Sequence, residues 1–316
     1  MQTMLIVIAA VSAAFALLSA AAGLFLCIFA TSRRRSYDES PEHFPRHAER
    51  IREGQAWLDA QKTERVELTA SDGVPLVGFL LRAEGKPRGA MLLMHGYRSS
   101  FRIDFAWSVR TLHEMGYDLL LVYQRACGES GGRHITYGVR ERYDCRDWAR
   151  LLAEREPDST PIFLYGLSLG CTTVLLASAL GLPETVRGIV ADCGFTSPHD
   201  EFVWLIQHGR YVPFWRLAYA FSRLFARLFA GFGFRECSTL DAMAANRLPV
   251  IFFHGGRDRF VPTVFSIRNY LACTAEKELV IVSGATHGVS WLTDEALYTA
   301  KLRAFLERYG SDEDRS

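Results

Sequence analysis

Ser168 sits in Gly166-Leu167-Ser168-Leu169-Gly170, with a glycine two residues to either side. A serine hydroxyl is a weak nucleophile at neutral pH. Acyl transfer through it needs a base to take its proton, an acid to orient that base, and N–H donors for the oxyanion. His287 is the expected base and Asp258 the expected acid, with the backbone N–H groups of Tyr97 and Leu169 as donors. The pentapeptide alone would equally suit a Gly-Ser turn in a surface loop. Its surroundings decide.

An apolar run, Pro161-Ile162-Phe163-Leu164, precedes the serine, and the small-residue segment Cys171 to Leu180 follows it. That pattern predicts a buried strand, a tight turn and a helix. The glycines fit a strained junction with no room for a Cβ. Among nine histidines, His43, His47 and His113 fall in linker or helical contexts and are expected at the surface. His95 and His254 each end an apolar strand and precede a glycine, and His95 is expected to brace loops. His287 lies in Ser283-Gly284-Ala285-Thr286-His287-Gly288, directly after the last strand, where Ser168 also emerges. Asp258 lies in the loop after the strand before that, and the order Ser168, Asp258, His287 matches a strand-turn-helix nucleophile. Asp192, at the end of another strand, is the competing acid; either carboxylate could instead cap a helix or brace a loop.

These residues need a sheet edge to meet on. Val66 to Thr69 and Leu76 to Leu81, joined through Ser71-Asp72-Gly73, read as a two-stranded antiparallel opening. Strands then alternate with helices: 89–94, 117–122, the strand before Ser168, 186–191, 248–253 and 278–282, with a closing helix from Asp294 to Tyr309. Alternation of this kind indicates a mostly parallel sheet with helices on both faces. Residues 197–247 break the rhythm with helical, aromatic-rich stripes that include Tyr211, Phe214 and Phe229. They are expected to form an amphipathic layer over the sheet and to roof the pocket; a membrane-binding surface is the less favoured reading.

The motifs together resemble the α/β-hydrolase superfamily, in its esterase-like and serine aminopeptidase-like branch. The resemblance rests on His95-Gly96, Gly128-Glu129-Ser130, the Ser168 pentapeptide, His254-Gly255 with Asp258 and Val261-Pro262, and Ala285-Thr286-His287. All stand in family order over about residues 62 to 310. Relatives often carry Asp-x-Arg-Gly-His-Gly-x-Ser where this chain has Tyr123-Gln124-Arg125-Ala126-Cys127-Gly128-Glu129-Ser130, which bears on pocket shape. Cys127 in that loop reads as a loop thiol, not a nucleophile. The resemblance implies an eight-stranded, mostly parallel α/β-hydrolase sheet with a helical cap, and a serine hydrolase acting on a carboxylic ester, thioester or amide. No metal or organic cofactor is required. A peptidase and a catalytically silent binding scaffold are the alternatives.

The first 35 residues stand apart. Met4 to Ala30 carries no charge, and at about 1.5 Å per residue it can cross a hydrocarbon core of about 30 Å. A cleaved signal peptide competes, but it would want a basic start, and here the charges come after, as Arg33-Arg34-Arg35. Those arginines favour a single pass with the catalytic domain on the cytoplasmic side. The seven scattered cysteines have no metal-site spacing and suit a reducing compartment. A net charge of +1 gives no sign of nucleic-acid binding. The expected layout is an anchor at 1–35, a linker and amphipathic helix at 36–61, the hydrolase domain at 62–310 with its cap at 197–247, and a tail at 311–316. The expected partners are an apolar small-molecule acyl substrate and a membrane; oligomeric state is open.

Overall fold

The computed structural model describes residues 1–33, 39–157, 159–208 and 215–311. Arg34 and Arg35 of the basic flank, part of the linker, Tyr211 and Phe214 of the cap stripe, the 312–316 tail and the side chain of His43 lie outside them.

The uncharged leader is one helix, α1 (Gln2–Thr31), and the amphipathic stretch after it forms α2 (Ala48–Asp59). The hairpin β1 (Thr63–Thr69) and β2 (Pro75–Leu81) follows, then β3 (Gly89–Met94). Two short helices come after it, α3 (Phe101–Asp104) and α4 (Val109–Glu114). Next come β4 (Tyr117–Tyr123), α5 (Glu141–Arg155), β5 (Ile162–Leu167), α6 (Leu169–Ala177) and β6 (Val186–Asp192). The cap segment holds α7 (Pro198–His208), α8 (Trp215–Phe225) with one π turn after it (Ala226–Ala230), and α9 (Thr239–Ala245). The chain ends with β7 (Val250–Gly255), α10 (Val264–Ala272), β8 (Lys277–Val282), α11 (Ser290–Thr293) and α12 (Glu295–Gly310).

The eight strands form one sheet in the order β1-β2-β4-β3-β5-β6-β7-β8. β2 pairs antiparallel with β1 and β4, and every other pairing is parallel. The inner strands are apolar throughout because helices cover both faces. Met91, Leu93, Phe163 and Phe253 pack with α2, α4 and α12 on one face; Leu92, Leu164 and Phe252 pack with α5 and α6 on the other. The chain steps outward from β3 to β4 on one side and to β5 on the other. That reversal opens a crevice beyond the carboxyl ends of β3 and β5, where ligands of open α/β sheets bind.

Two expectations need correcting. His113 is buried, not at the surface, because α2 lies across α4: Trp57 meets its ring at 5.4 Å, and its Nε2 lies 2.9 Å from the Arg82 carbonyl oxygen. The cap, too, is more than a layer over the sheet, since α8 lies chiefly against α1. A Cβ on Gly23 of α1 would stand 2.5 Å from the Ala218 carbonyl oxygen, so only glycine allows this approach. Ser19, Gly23 and Cys27 of α1 are buried there against Ala218, Ser222 and Ala226. Small residues on both helices let the backbones approach closely.

Candidate active site

Ser168 joins β5 to α6 with φ 55°, a left-handed conformation that costs a serine about 1–3 kcal/mol. The surroundings enforce it: Ser168 N donates to the Asp192 carbonyl oxygen at 2.8 Å, and Thr172 N to the Ser168 carbonyl oxygen at 3.0 Å. A Cβ on Gly170 would stand 1.8 Å from the Met94 carbonyl oxygen, which explains the second glycine of the motif. Arg98 and Cys193, in the flanking loops, also have positive φ.

The structure brings the three expected side chains together. His287 Nε2 lies 2.9 Å from Ser168 Oγ, and His287 Nδ1 lies 2.7 Å from Asp258 Oδ2. Asp258 Oδ1 accepts the backbone N–H groups of Phe260 and Val261, at 2.9 and 3.0 Å. His254 Nε2 stands 3.3 Å from Asp258 Oδ2. Its hydrogen is shared between that oxygen and the Val261 carbonyl oxygen at 2.9 Å, while Nδ1 accepts the Ser266 hydroxyl at 2.7 Å. Burial alone would raise the pKa of Asp258, but hydrogen bonds from His254 and His287 outweigh it and hold the carboxyl at about 2.

That shift makes a stability prediction. The folded value lies below the ordinary 3.8, so Asp258 contributes about 2 kcal/mol that is present above about pH 4 and lost as pH falls through about 2. Asp258→Asn has no such titration. The unfolding free-energy difference between wild type and Asp258→Asn, from denaturant titrations in detergent, is expected to shrink between pH 4.5 and 2.5. A constant difference would refute the assignment.

Asp192, the competing acid, is placed otherwise. It is buried, its Oδ2 accepts the Tyr298 hydroxyl at 3.0 Å, and Tyr298 is in turn 2.8 Å from Tyr165. Burial raises its pKa, whereas that of Asp258 is lowered.

The Tyr97 loop lies over the serine, since a Cβ on Gly96 would be 3.4 Å from Ser168 Cβ. His95 braces it as expected: Nδ1 donates to the Gly96 carbonyl oxygen at 2.8 Å and Nε2 accepts Gln124 N at 3.0 Å. Burial pushes that ring's pKa down to about 4, so it stays neutral. Gln124, where the family resemblance is broken, also donates to the His95 carbonyl oxygen and accepts from Thr173 of α6. The altered loop thus ties β3 to the helix behind the serine, and Cys127 is buried within it. All seven cysteines are among the described residues, and none is in a disulfide.

Two carboxyl contributors had no sequence signal, and one imidazole had only a partial one. Asp104 accepts Gly96 N at 2.5 Å and Ser99 Oγ at 2.6 Å beneath the loop, and burial pushes its pKa up to about 6. Glu201 of α7 is buried near Asp258 with neither carboxyl oxygen hydrogen-bonded among the described residues, and burial holds its pKa well above the ordinary range. His254 was visible as a strand end, but not as a second ring on Asp258. Among the described residues one group could offer three donors to a metal, Cys193, Asp258 and His287. Two of these are already committed to each other, and burial pushes the Cys193 thiol well above its ordinary pKa.

α1 also reaches this site. Tyr97 and Tyr137, stacked at 5.3 Å, both donate their hydroxyls to the Ala30 carbonyl oxygen, at 2.8 and 2.9 Å. Ile135 N donates to the Thr31 carbonyl oxygen at 2.7 Å, and Arg98 donates to those of Phe29 and Ser32. Cys27 and Ala30 share an apolar cluster with Leu169, Phe195, Phe202, Tyr219 and Val261.

A family model described as serine aminopeptidase, S33, matches residues 85–234, a stretch that holds Ser168 but ends before Asp258 and His287. The protein YqkD of Bacillus subtilis (strain 168) is 26% identical over 252 residues, 77% of this chain and 81% of that protein. The α/β-hydrolase domain-containing protein WAV2 of Arabidopsis thaliana is 23% identical over 255 residues, 79% of this chain and 80% of its own. The esterase Pf2001 of Pyrococcus furiosus superposes with a TM-score of 0.65 at 20% identity, over 80% of this chain and 94% of that one. The eight-stranded sheet and its flanking helices are those of the α/β-hydrolase fold, and these likenesses support a hydrolase of that fold.

Proposed function

We propose that the protein is a serine hydrolase that cleaves a carboxylic ester or related acyl substrate through an acyl-enzyme on Ser168. The observation that carries this is the unbroken hydrogen-bonded chain from Ser168 through His287 to Asp258. His287 takes the serine proton as Oγ attacks the acyl carbon, and Asp258 holds the imidazole with its hydrogen on Nδ1. The backbone N–H groups of Tyr97 and Leu169 stabilise the tetrahedral oxyanion; the second stands at the start of α6, where the helix dipole favours negative charge. His287 returns the proton to the leaving group, and water repeats the sequence to release the acid.

The apolar cluster around Leu169 favours an apolar acyl group. A pocket that buries the chain supplies about 0.8 kcal/mol per methylene. Across p-nitrophenyl esters of rising acyl length, kcat/KM is therefore expected to climb by up to about fourfold per methylene until the pocket fills. The family-model match to serine aminopeptidases supports peptidase action as the second reading. Aminoacyl anilides hydrolysed more than about tenfold faster than every ester would favour it and overturn the first.

The helix α1 is long and apolar enough to cross a membrane. We read it as a single-pass anchor with the hydrolase domain on the cytoplasmic side, in keeping with the arginines that follow it. Protease protection of the domain inside right-side-out cell vesicles tests the orientation, and digestion there would overturn it.

A further inference from the structure

α8 is divided lengthwise. Ala218, Ser222 and Ala226, spaced by four, are buried toward α1. Leu217, Phe221 and Leu224 form an adjacent stripe that continues through the π turn to Leu228 and Phe229. Leu228 and Phe229 are 64% and 60% exposed, and Leu217 and Leu224 are also exposed. Arg216, Arg223 and Arg227 occupy a third side, with Arg216 over the Trp215 ring and Arg223 over that of Tyr219. A basic side, an aromatic shoulder and an exposed Leu/Phe stripe are the marks of a helix lying at a lipid-water boundary.

Position along α1 supplies the second observation. α8 packs on the stretch from Ser19 to Cys27, and at that level α1 still exposes Phe25, Ile28 and Phe29 to the outside. Counted back from Ala30, the roughly twenty residues that cross a hydrocarbon core include this whole stretch. A bilayer around α1 therefore reaches α8, and the apolar surfaces of the two helices lie at the same level.

We propose that α8 and its π turn are seated in the same bilayer leaflet as the carboxyl-terminal half of α1, with lipid acyl chains covering Leu217, Leu224, Leu228 and Phe229. This rests on the reading of α1 as a membrane span. It places the cap of the hydrolase, beside Phe202 and Tyr219 of the cluster around Leu169, at the membrane boundary. An apolar acyl substrate then reaches the site from the bilayer without crossing water.

The test uses the full chain in phosphatidylcholine–phosphatidylglycerol vesicles, with Cys237→Ser as background because the other six cysteines are buried. Nitroxide labels are placed singly at Leu224→Cys, Leu228→Cys, Val11→Cys on α1 and Leu271→Cys on α10, all exposed positions. Their relaxation by oxygen, which concentrates in lipid, is compared with that by a water-soluble nickel complex. Labels at 224 and 228 are expected to match position 11, favouring oxygen by at least about tenfold relative to position 271. If they match position 271 while position 11 stays in lipid, the cap proposal falls and the anchor reading stands. If position 11 also favours nickel, both fall. Labels at 224 and 228 shielded from both agents, with spin–spin broadening, would put a second copy of the chain on this face and overturn the proposal. Two labelled positions keep the result readable if one variant folds poorly.

Discussion

Ser168→Ala is expected to lower kcat for a short p-nitrophenyl ester by on the order of 10⁵–10⁶, the scale seen when a serine acting as one unit with its base is removed. The hydroxyl is 2.9 Å from His287 Nε2, and no other described side chain hydrogen-bonds that nitrogen. Residual turnover, about 10³–10⁴ over water, would come from the oxyanion donors and binding. The substitution removes one oxygen from a nearly buried position and leaves the strained backbone as it is, so the melting profile should barely move. Covalent labelling by a fluorophosphonate is expected in wild type and absent in the variant. A well-folded wild type that neither turns over esters nor takes the label would instead be a silent scaffold.

Asp258→Asn is expected to cost about 10⁴ in kcat, because the surroundings dictate which way the new amide points. Oδ1 accepts two backbone N–H groups, so the amide oxygen must take that place and the NH₂ must face His287. Imidazole Nδ1 then becomes an acceptor, its hydrogen moves to Nε2, and Nε2 can no longer receive the serine proton. Asp192→Asn should reduce kcat less than about tenfold, since the new side chain can still accept the Tyr298 hydroxyl. Steady-state rates on one ester decide between the two carboxylates. The reverse ranking would overturn the assignment.

Much of this was written locally. The elbow announces itself because a strand, a glycine-flanked serine and a helix are contiguous, and the sheet follows from apolar runs whose two faces are both covered. Asp258 and His287 are legible because their loops follow consecutive strands and leave the same sheet edge as Ser168. What escaped were contacts between distant, individually ordinary patterns. Nothing around His113 tells that Trp57 covers it, and nothing around His254 tells that its ring points at Asp258. Nothing around Asp104 or Glu201 tells that the fold buries them. The cap stripe was visible as amphipathic, but a helical period cannot say whether its partner is sheet, lipid or another helix. The small residues Gly23 and Ala218 carry the answer only once they are seen together.

The Ala30 carbonyl, held by two tyrosine hydroxyls, has a consequence for how the chain is made. α1 emerges from the ribosome before its protein partners, which extend from Tyr97 to Ser222 and beyond. At about 5–20 residues per second, the helix waits roughly ten to forty seconds for the last of them. Water is a poor host for such a segment during that interval, whereas a bilayer holds it stably. On the reading of α1 as a membrane anchor, insertion comes first and the hydrolase domain assembles onto a helix already in place. The leader acts as a template for the cap and for the loop above Ser168, and a version of the enzyme made without it would start folding with that template missing.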